Sequence, residues 1–160
     1  MKIKILLILA AMLGGLSATA QNYGAPYSSV QCMNVELDGS ITVRVTGSGR
    51  NRLDAKEQAK KNAVYNVIFK GVQVEGHKNS EISRPLIFEV NAEEKYESFF
   101  YSFFADGGKY LEFTSMDDRR ALSNRKEKGG KQVDWSITLR VLRPQLKQYL
   151  TEQGIIKKKK

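Results

Sequence analysis

One stretch of this 160-residue chain limits the possible folds more than any other: a strand that ends in glycines and leads directly into an alanine-rich helix. Residues 41–46 alternate apolar and polar side chains, which indicates a half-buried strand. After Gly47-Ser48-Gly49, a helix is predicted from about Asn51, its N-cap, to Phe69, just before Gly71. Alanines recur at every fourth helical position, at Ala55, Ala59 and Ala63. Such small side chains allow close packing, so this helix is expected to lie on a sheet.

Further strands are predicted from the same alternation of apolar and polar residues. Residues 133–141 form the clearest one, and Leu86 to Val90 and Lys109 to Met116 predict two others. Val72 to Glu75 predicts a short strand. Strands with one polar face favour a mainly antiparallel sheet over a doubly wound parallel one, whose strands would be apolar on both faces.

Two more helices are predicted after the first. Asn91 is the expected N-cap of a second long helix, with Glu94 in the capping-box position, and this helix runs to about Ala105. A short helix is predicted from Gln145 to Gln153, directly after Pro144. The predicted class is therefore α+β: two layers, a mainly antiparallel sheet of four or five strands, two long helices on one face and a short C-terminal helix.

The N-terminus has the pattern of a secretory signal peptide. Lys2 and Lys4 precede an apolar run over residues 5–16, and Ala18-Thr19-Ala20 offers the small residues that a signal peptidase reads. The apolar run is shorter than the roughly 20 residues needed to cross a bilayer. Residues 1–20 are therefore expected to be removed, which places the protein in the periplasm or at the cell surface, without a transmembrane segment. The residue directly after Ala20 is Gln21 and not a cysteine, which argues against a lipid anchor.

The rest of the chain predicts one domain. Residues 21–38 are expected to form a flexible leader, residues 39–154 the α+β domain and residues 155–160 a lysine-rich tail. Asp117 to Lys131 is charged and without a clear period, and it predicts a long loop between strands. Cys32 is the only cysteine, so no internal disulfide is expected. Its thiol is either a small buried group or a group that pairs with a partner.

A large share of the net positive charge of the chain comes from its last four residues. The formal net charge is +9, and four of these positive charges belong to Lys157 to Lys160. A run of like charges repels itself and stays solvated, so a solubilising tail is the simpler interpretation. Contact with an anionic lipid, glycan or nucleic acid surface is the alternative.

The glycine turn lacks the residues of known nucleotide-binding loops. A P-loop needs a lysine and a hydroxyl residue at the start of the helix, but Arg50-Asn51-Arg52 stands there. A dinucleotide fingerprint needs a third glycine, and Arg52 takes its place. The glycines are therefore interpreted as a tight turn, and no cofactor is expected. Arg50 and Arg52, beside a helix N-terminus, form a weaker candidate anion site.

Catalytic and metal-binding patterns are scarce. His77 is the only histidine, and it lies in a polar loop without a nucleophile motif. One histidine and one cysteine fall short of a usual zinc site. The adjacent carboxylates Glu93-Glu94 and Asp117-Asp118 do not face each other if they lie on a helix. No catalytic residue, metal ligand or cofactor is assigned, and a non-enzymatic role is favoured.

Aromatic side chains are concentrated in the second predicted helix, where they follow helical spacing. One interpretation is a core layer that covers the sheet. The other is an exposed partner surface, to which the lysine tail would contribute. The residues of this candidate interaction surface are Phe99, Phe100, Phe103, Phe104, Lys157, Lys158, Lys159 and Lys160.

The strand–turn–helix unit resembles the N-terminal group of the LPP20 lipoprotein and flagellar assembly protein T, which are bacterial envelope proteins. The matching residues are Val43, Val45, Gly47, Gly49, Asp54, Ala55, Ala59 and Ala63. The resemblance implies a small α+β envelope domain used in assembly or surface structures. It implies no catalytic residue.

These patterns together predict a non-enzymatic accessory or interaction module of the bacterial envelope. Its expected partner is another envelope protein or an anionic envelope surface, bound by the second helix, the loop over residues 117–131 and the lysine tail. The alternative is a small-ligand-binding protein or a hydrolase that acts on envelope material. Export and the dispersed cations argue against nucleic acid as a partner.

Overall fold

The computed structural model describes residues 30–74, 81–115, 125–127 and 132–157. Its strands are β1 (Gln31–Val35), β2 (Ile41–Gly49), β3 (Gln73–Val74), β4 (Thr114–Ser115), β5 (Arg125–Glu127) and β6 (Val133–Val141). Its helices are α1 (Arg52–Tyr65), α2 (Ala92–Lys95), α3 (Glu97–Phe103) and α4 (Arg143–Glu152). Short 3-10 segments cover Glu81–Ser83 and Lys109–Phe113.

The six strands form one sheet in the order β3-β1-β2-β6-β4, and β5 also pairs with β6. Thr114 of β4 is opposite Val141, whereas Arg125 of β5 is opposite Trp135. The two short strands therefore pair with opposite ends of β6 and together occupy one position in the sheet. The β1–β3 pair is parallel, and the other described pairs are antiparallel. The predicted α+β class with a mainly antiparallel sheet is confirmed.

The centre of the sheet is the β2–β6 pair, which runs from Ile41 opposite Val141 to Gly49 opposite Val133. The apolar residues of both strands are buried beneath α1, except for Val133, which is partly buried. On the other face, the hydroxyls of Thr46 and Ser136 lie 2.7 Å apart and hydrogen-bond to each other. The alternation seen in the sequence therefore separates an apolar layer from a polar surface.

Helix α1 begins at the predicted N-cap but ends at Tyr65, four residues before the predicted end at Phe69; the predicted stop at Gly71 is reached through a π turn. The side-chain oxygen of Asn51 accepts hydrogen bonds from the backbone amides of Leu53 and Asp54, at 2.8 and 3.0 Å. The helix continues as a π turn over Asn66–Lys70 and stops at Gly71, whose φ is 82°. Buried Asn62 donates a hydrogen bond to the carbonyl oxygen of Thr46, 2.9 Å away. This bond ties the middle of the helix to β2.

The second long helix predicted from Asn91 to Ala105 is wrong. Two short helices, α2 and α3, replace it, and the break falls at Tyr96, with φ −114° and ψ 30°. Asn91 has a left-handed backbone, with φ 61°, and its side chain makes no capping hydrogen bond. Asparagine tolerates this conformation better than most residues, whereas a capping residue needs an extended backbone.

The strand predicted over Leu86 to Val90 is also wrong. The backbone amides of Leu86 and Ile87 donate to the carbonyl oxygens of Val67 and Ile68, each at 3.0 Å. The last carbonyls of a helix lack partners within the helix, and this segment supplies them. The segment is therefore attached to the end of α1 and is not part of the described sheet.

Two further predictions about strands are corrected. Of the strand predicted from Lys109 to Met116, residues 109–113 form a 3-10 segment and Thr114–Ser115 alone pair with β6; Met116 lies outside the described residues. The leader was predicted over residues 21–38. Its second half contains β1, which pairs with β2. An irregularity between Cys32 and Asn34 interrupts its alternation, which explains why the pattern gave no strand signal.

Several sequence predictions lie outside the described residues. These are the signal peptide and the start of the leader, the loop around His77, most of the loop over residues 117–131, and Lys158 to Lys160. Among the helices that the structure does describe, none has the length and apolar character needed to cross a membrane.

The turn between β1 and β2 is closed by Asp38. Its carboxylate accepts hydrogen bonds from the hydroxyl and the backbone amide of Ser40, at 2.5 and 3.0 Å, and from Arg140, at 2.7 Å. The bond from the Ser40 hydroxyl contributes most to lowering the pKa of Asp38 to about 2.

We expect the Asp38 carboxyl to titrate near pH 2 in an NMR pH series. An unfolded aspartate has a pKa of about 3.9, so the stabilisation is complete above roughly pH 4 and is lost as the pH falls towards 2. Ser40→Ala removes the main donor and should raise the midpoint. A wild-type midpoint near 3.9, or one that Ser40→Ala leaves unchanged, would contradict this assignment.

Candidate functional site

The glycine turn is used for packing. A Cβ atom added to Gly47 would lie 2.2 Å from the carbonyl oxygen of Ala55 and 2.3 Å from the backbone nitrogen of Ala59. A Cβ added to Gly49 would lie 2.5 Å from the backbone nitrogen of Ala55. The backbones of β2 and α1 therefore touch where the sequence has glycine on one side and alanine on the other, and a phosphate loop is not needed to explain the motif.

The groups of the candidate anion site already have partners within the chain. Arg50 Nε lies 2.8 Å from a carboxylate oxygen of Asp54, and the guanidinium of Arg52 lies 4.4 Å from the ring centroid of Trp135. Asn51 occupies the first free amides of α1. The structure does not bring Arg50 and Arg52 together around an open helix N-terminus.

The aromatic residues of α3 divide between core and surface. Phe100, Phe103 and Phe104 are buried, while Phe99 is partly buried and Tyr101 is 56% exposed. The buried rings contact aromatic side chains from α1, the π turn, the 3-10 segment and α4, namely Tyr65, Phe69, Tyr110, Phe113 and Tyr149. This is the core alternative of the sequence analysis, and these three rings offer no exposed surface to a partner.

A cleft lies between the segment over residues 81–88 and helix α4 with its C-terminal extension. Its volume is about 650 Å³. Of the residues predicted to form an interaction surface, Lys157 lines this cleft. The lining residues are Glu81, Arg84, Pro85, Leu86, Phe88, Arg143, Lys147, Thr151, Ile156 and Lys157.

The lining carries four cations and one carboxylate. That carboxylate belongs to Glu81 and lies 3.6 Å from the ammonium of Lys147. Arg143 donates to the backbone carbonyls of Glu81 and Arg84, at 2.9 and 3.3 Å, and burial lowers its pKa. Arg143 Nε is shielded from solvent and has no hydrogen-bond partner among the described residues. The cleft therefore has an excess of positive charge.

Apolar groups surround these cations. Pro85, Leu86 and Ile156 line the cleft, and Phe88 at its edge is 71% exposed. Val90, two residues further on, is 83% exposed. The site thus combines a cationic lining with two large apolar side chains in contact with water.

The described residues offer little for catalysis. No group of three or more histidine, cysteine, aspartate or glutamate side chains among them is placed to hold a metal ion. Cys32 is buried, its thiol donates to the carbonyl oxygen of Asn34, and burial raises its pKa. A thiol with a raised pKa is a poor nucleophile. The chemistry available in the cleft is recognition of an anion next to an apolar group.

Sequence reasoning missed most of this cleft. Arg84 was predicted to end a polar loop, and Phe88 was predicted to lie in a strand. Neither prediction indicated that the two residues line a cleft. A signal was nevertheless present in α4, where Arg143, Lys147 and Thr151 follow one another at four-residue spacing. This spacing places all three on one face of a helix, beside the lysine-rich end of the chain.

Comparison with known proteins adds no relationship. No family model, no curated protein and no solved structure matches the chain. The function of the chain is therefore inferred from the geometry of the cleft and from the sequence patterns.

Proposed function

We propose that this chain is an exported bacterial envelope protein that acts as a non-enzymatic interaction module, and that the cleft holds its anionic partner. The observation that carries the proposal is the convergence of Arg84, Arg143, Lys147 and Lys157 on one cleft with a single carboxylate. Like-signed charges in a concave site raise the local potential and attract a ligand of opposite sign. Another envelope protein or an anionic envelope surface meets this requirement.

Two sequence features support the envelope location. The first 20 residues have the pattern of a signal peptide, and the strand–turn–helix unit resembles a group of bacterial envelope proteins. In the envelope, the sheet and α1 would serve as the scaffold that holds the two walls of the cleft in place. The tight contact between β2 and α1 holds this scaffold without a disulfide.

A small-ligand-binding protein is the second candidate, and one observation favours it. The cleft volume of about 650 Å³ falls within the range of roughly 300 to 1,000 Å³ that is usual for small-molecule sites. A hydrolase has no comparable support from the described residues, because the lining has one carboxylate and no histidine or cysteine.

The proposal is tested by photo-crosslinking in intact cells. A photoreactive phenylalanine analogue replaces Phe88, which is exposed at the edge of the cleft. A matched control carries the analogue at Leu53, which is 77% exposed on the first turn of α1 and does not line the cleft. We expect adducts from position 88 that are absent from position 53, on a chain whose N-terminus begins after Ala20.

Three results would contradict the proposal. The first is equal labelling from both positions, and the second is no adduct from position 88. The third is a chain that keeps residues 1–20 and accumulates in the cytosol, which would remove the argument for an envelope partner. Mass spectrometry of the purified adduct reads the N-terminus and the partner in one measurement.

A further inference from the structure

We propose that the cleft and the segment beside it dock on an anionic phospholipid bilayer. This inference depends on the proposed function and names the anionic partner. The segment Phe88-Glu89-Val90, called the apolar tip below, presents two large side chains that are 71% and 83% exposed. Side chains of this kind enter the boundary between lipid headgroups and acyl chains, where burial of their apolar area favours binding.

The apolar tip carries little free negative charge. Glu89 is paired with Lys95, whose ammonium also lies 4.9 Å from the ring centroid of Tyr96. The hydrogen bond from Lys95 is the main cause of the lowered pKa of Glu89, and Lys157 contributes to it. The one carboxylate of the tip is therefore already matched by cations, so it does not strongly oppose approach to an anionic surface.

The cations are placed beside the apolar tip, because Phe88 lines the same cleft as Arg84, Arg143, Lys147 and Lys157. Lys147 and Lys157 are exposed at the surface, whereas Arg143 is partly buried. Long cationic side chains reach lipid phosphates while their apolar stems lie along the protein. In this arrangement, the apolar tip would enter the membrane boundary while the cationic cleft beside it binds the lipid headgroups.

The hydrogen-bonding groups of the cleft fit a lipid phosphate better than a peptide. The lining supplies the cationic donors of Arg84, Lys147 and Lys157, and its one carboxylate, that of Glu81, already faces Lys147. The hydroxyl of Thr151 donates to the carbonyl oxygen of Lys147, at 2.7 Å. The backbone of a bound peptide brings N–H donors that require acceptors, whereas a phosphate brings acceptors alone.

The test is co-sedimentation of the purified chain with phospholipid vesicles. One set contains equal parts of phosphatidylglycerol and phosphatidylcholine, and the other contains phosphatidylcholine alone. We expect binding to the anionic set to exceed binding to the neutral set and to weaken as salt shortens the range of the charges. Phe88→Ser should reduce binding about tenfold. Lys147→Gln with Lys157→Gln should reduce it about thirtyfold.

Matched controls separate the cleft from general charge and apolarity. Leu53→Ser removes an equally exposed apolar side chain, and Arg50→Gln with Lys109→Gln removes two cations that do not line the cleft. Both controls should bind like the wild type, and thermal unfolding should show all variants folded. Every variant has the same N-terminus as the wild type, so a retained leader would not produce these differences.

Several results would overturn the lipid inference. One is equal binding to neutral and anionic vesicles, and another is cleft variants that bind like the controls. A third is full competition by soluble glycerol phosphate, which would indicate a site for free phosphates. If vesicles do not bind while crosslinks from position 88 reach a protein, the lipid inference fails and the proposed interaction module stands.

Discussion

Replacing Gly47 with alanine is expected to lower the free energy of unfolding by about 3 kcal/mol, although it adds one methyl group. That methyl would lie 2.2 Å from the carbonyl oxygen of Ala55 and 2.3 Å from the nitrogen of Ala59. Both are backbone atoms of α1, so no side chain can rotate to make room. The helix would have to move away from β2 and would lose the packing of its alanine face.

Urea unfolding followed by circular dichroism measures this loss. Gly107→Ala is the control, because nothing lies within 4 Å of its added Cβ while its φ of +72° is left-handed. It should cost about 1 kcal/mol, the price of that backbone conformation alone. If Gly47→Ala costs no more than Gly107→Ala, the close contact between strand and helix is wrong.

The second large effect is expected from Phe100→Ala, which should destabilise the fold by about 4 kcal/mol. Phe100 is fully buried, and its ring contacts Phe69, Phe99, Phe103 and Phe104. Truncation to alanine removes apolar area and leaves a cavity that the surrounding rings fill only in part.

Tyr101→Ala is the matched control for Phe100→Ala, because Tyr101 is the next residue on the same helix and is 56% exposed. Its effect should stay within about 0.5 kcal/mol. Equal stability losses for the two variants, measured by chemical unfolding, would contradict the division of α3 into a core face and a surface face. They would also reopen the interpretation of Phe100 as part of a partner surface.

The parts of the fold that sequence reasoning predicted are those where one local pattern decides the structure. The alternation over residues 133–141, the Asn51 cap and the Gly71 stop are examples, and each appears as expected in β6 or α1. Alternation alone does not decide the structure of Leu86 to Val90. Its first two amides bind the free carbonyls at the end of α1, and this long-range contact leaves no trace in the local sequence.

The candidate site was hard to predict for the same reason. Its lining comes from two segments about 60 residues apart, around Arg84 and along α4, and only packing brings them together. The four-residue spacing of Arg143 and Lys147 is compatible with one cationic helix face, but the predicted helix began after Arg143 and the spacing carries no information about the wall opposite. The aromatic residues of α3 form a clear pattern in the sequence, but that pattern is the same whether the rings are buried or exposed.

The π turn at the end of α1 fixes the direction in which the cleft wall leaves the helix. The π turn adds a residue to the helical repeat. The segment that starts at Leu86 is held to this turn by hydrogen bonds to the carbonyl oxygens of Val67 and Ile68. Each helical residue accounts for about 100° of rotation. Loss of one residue from this turn would therefore swing Leu86 and Phe88 around the helix axis, away from α4. The widened turn thus contributes to the orientation of the wall that begins at Leu86.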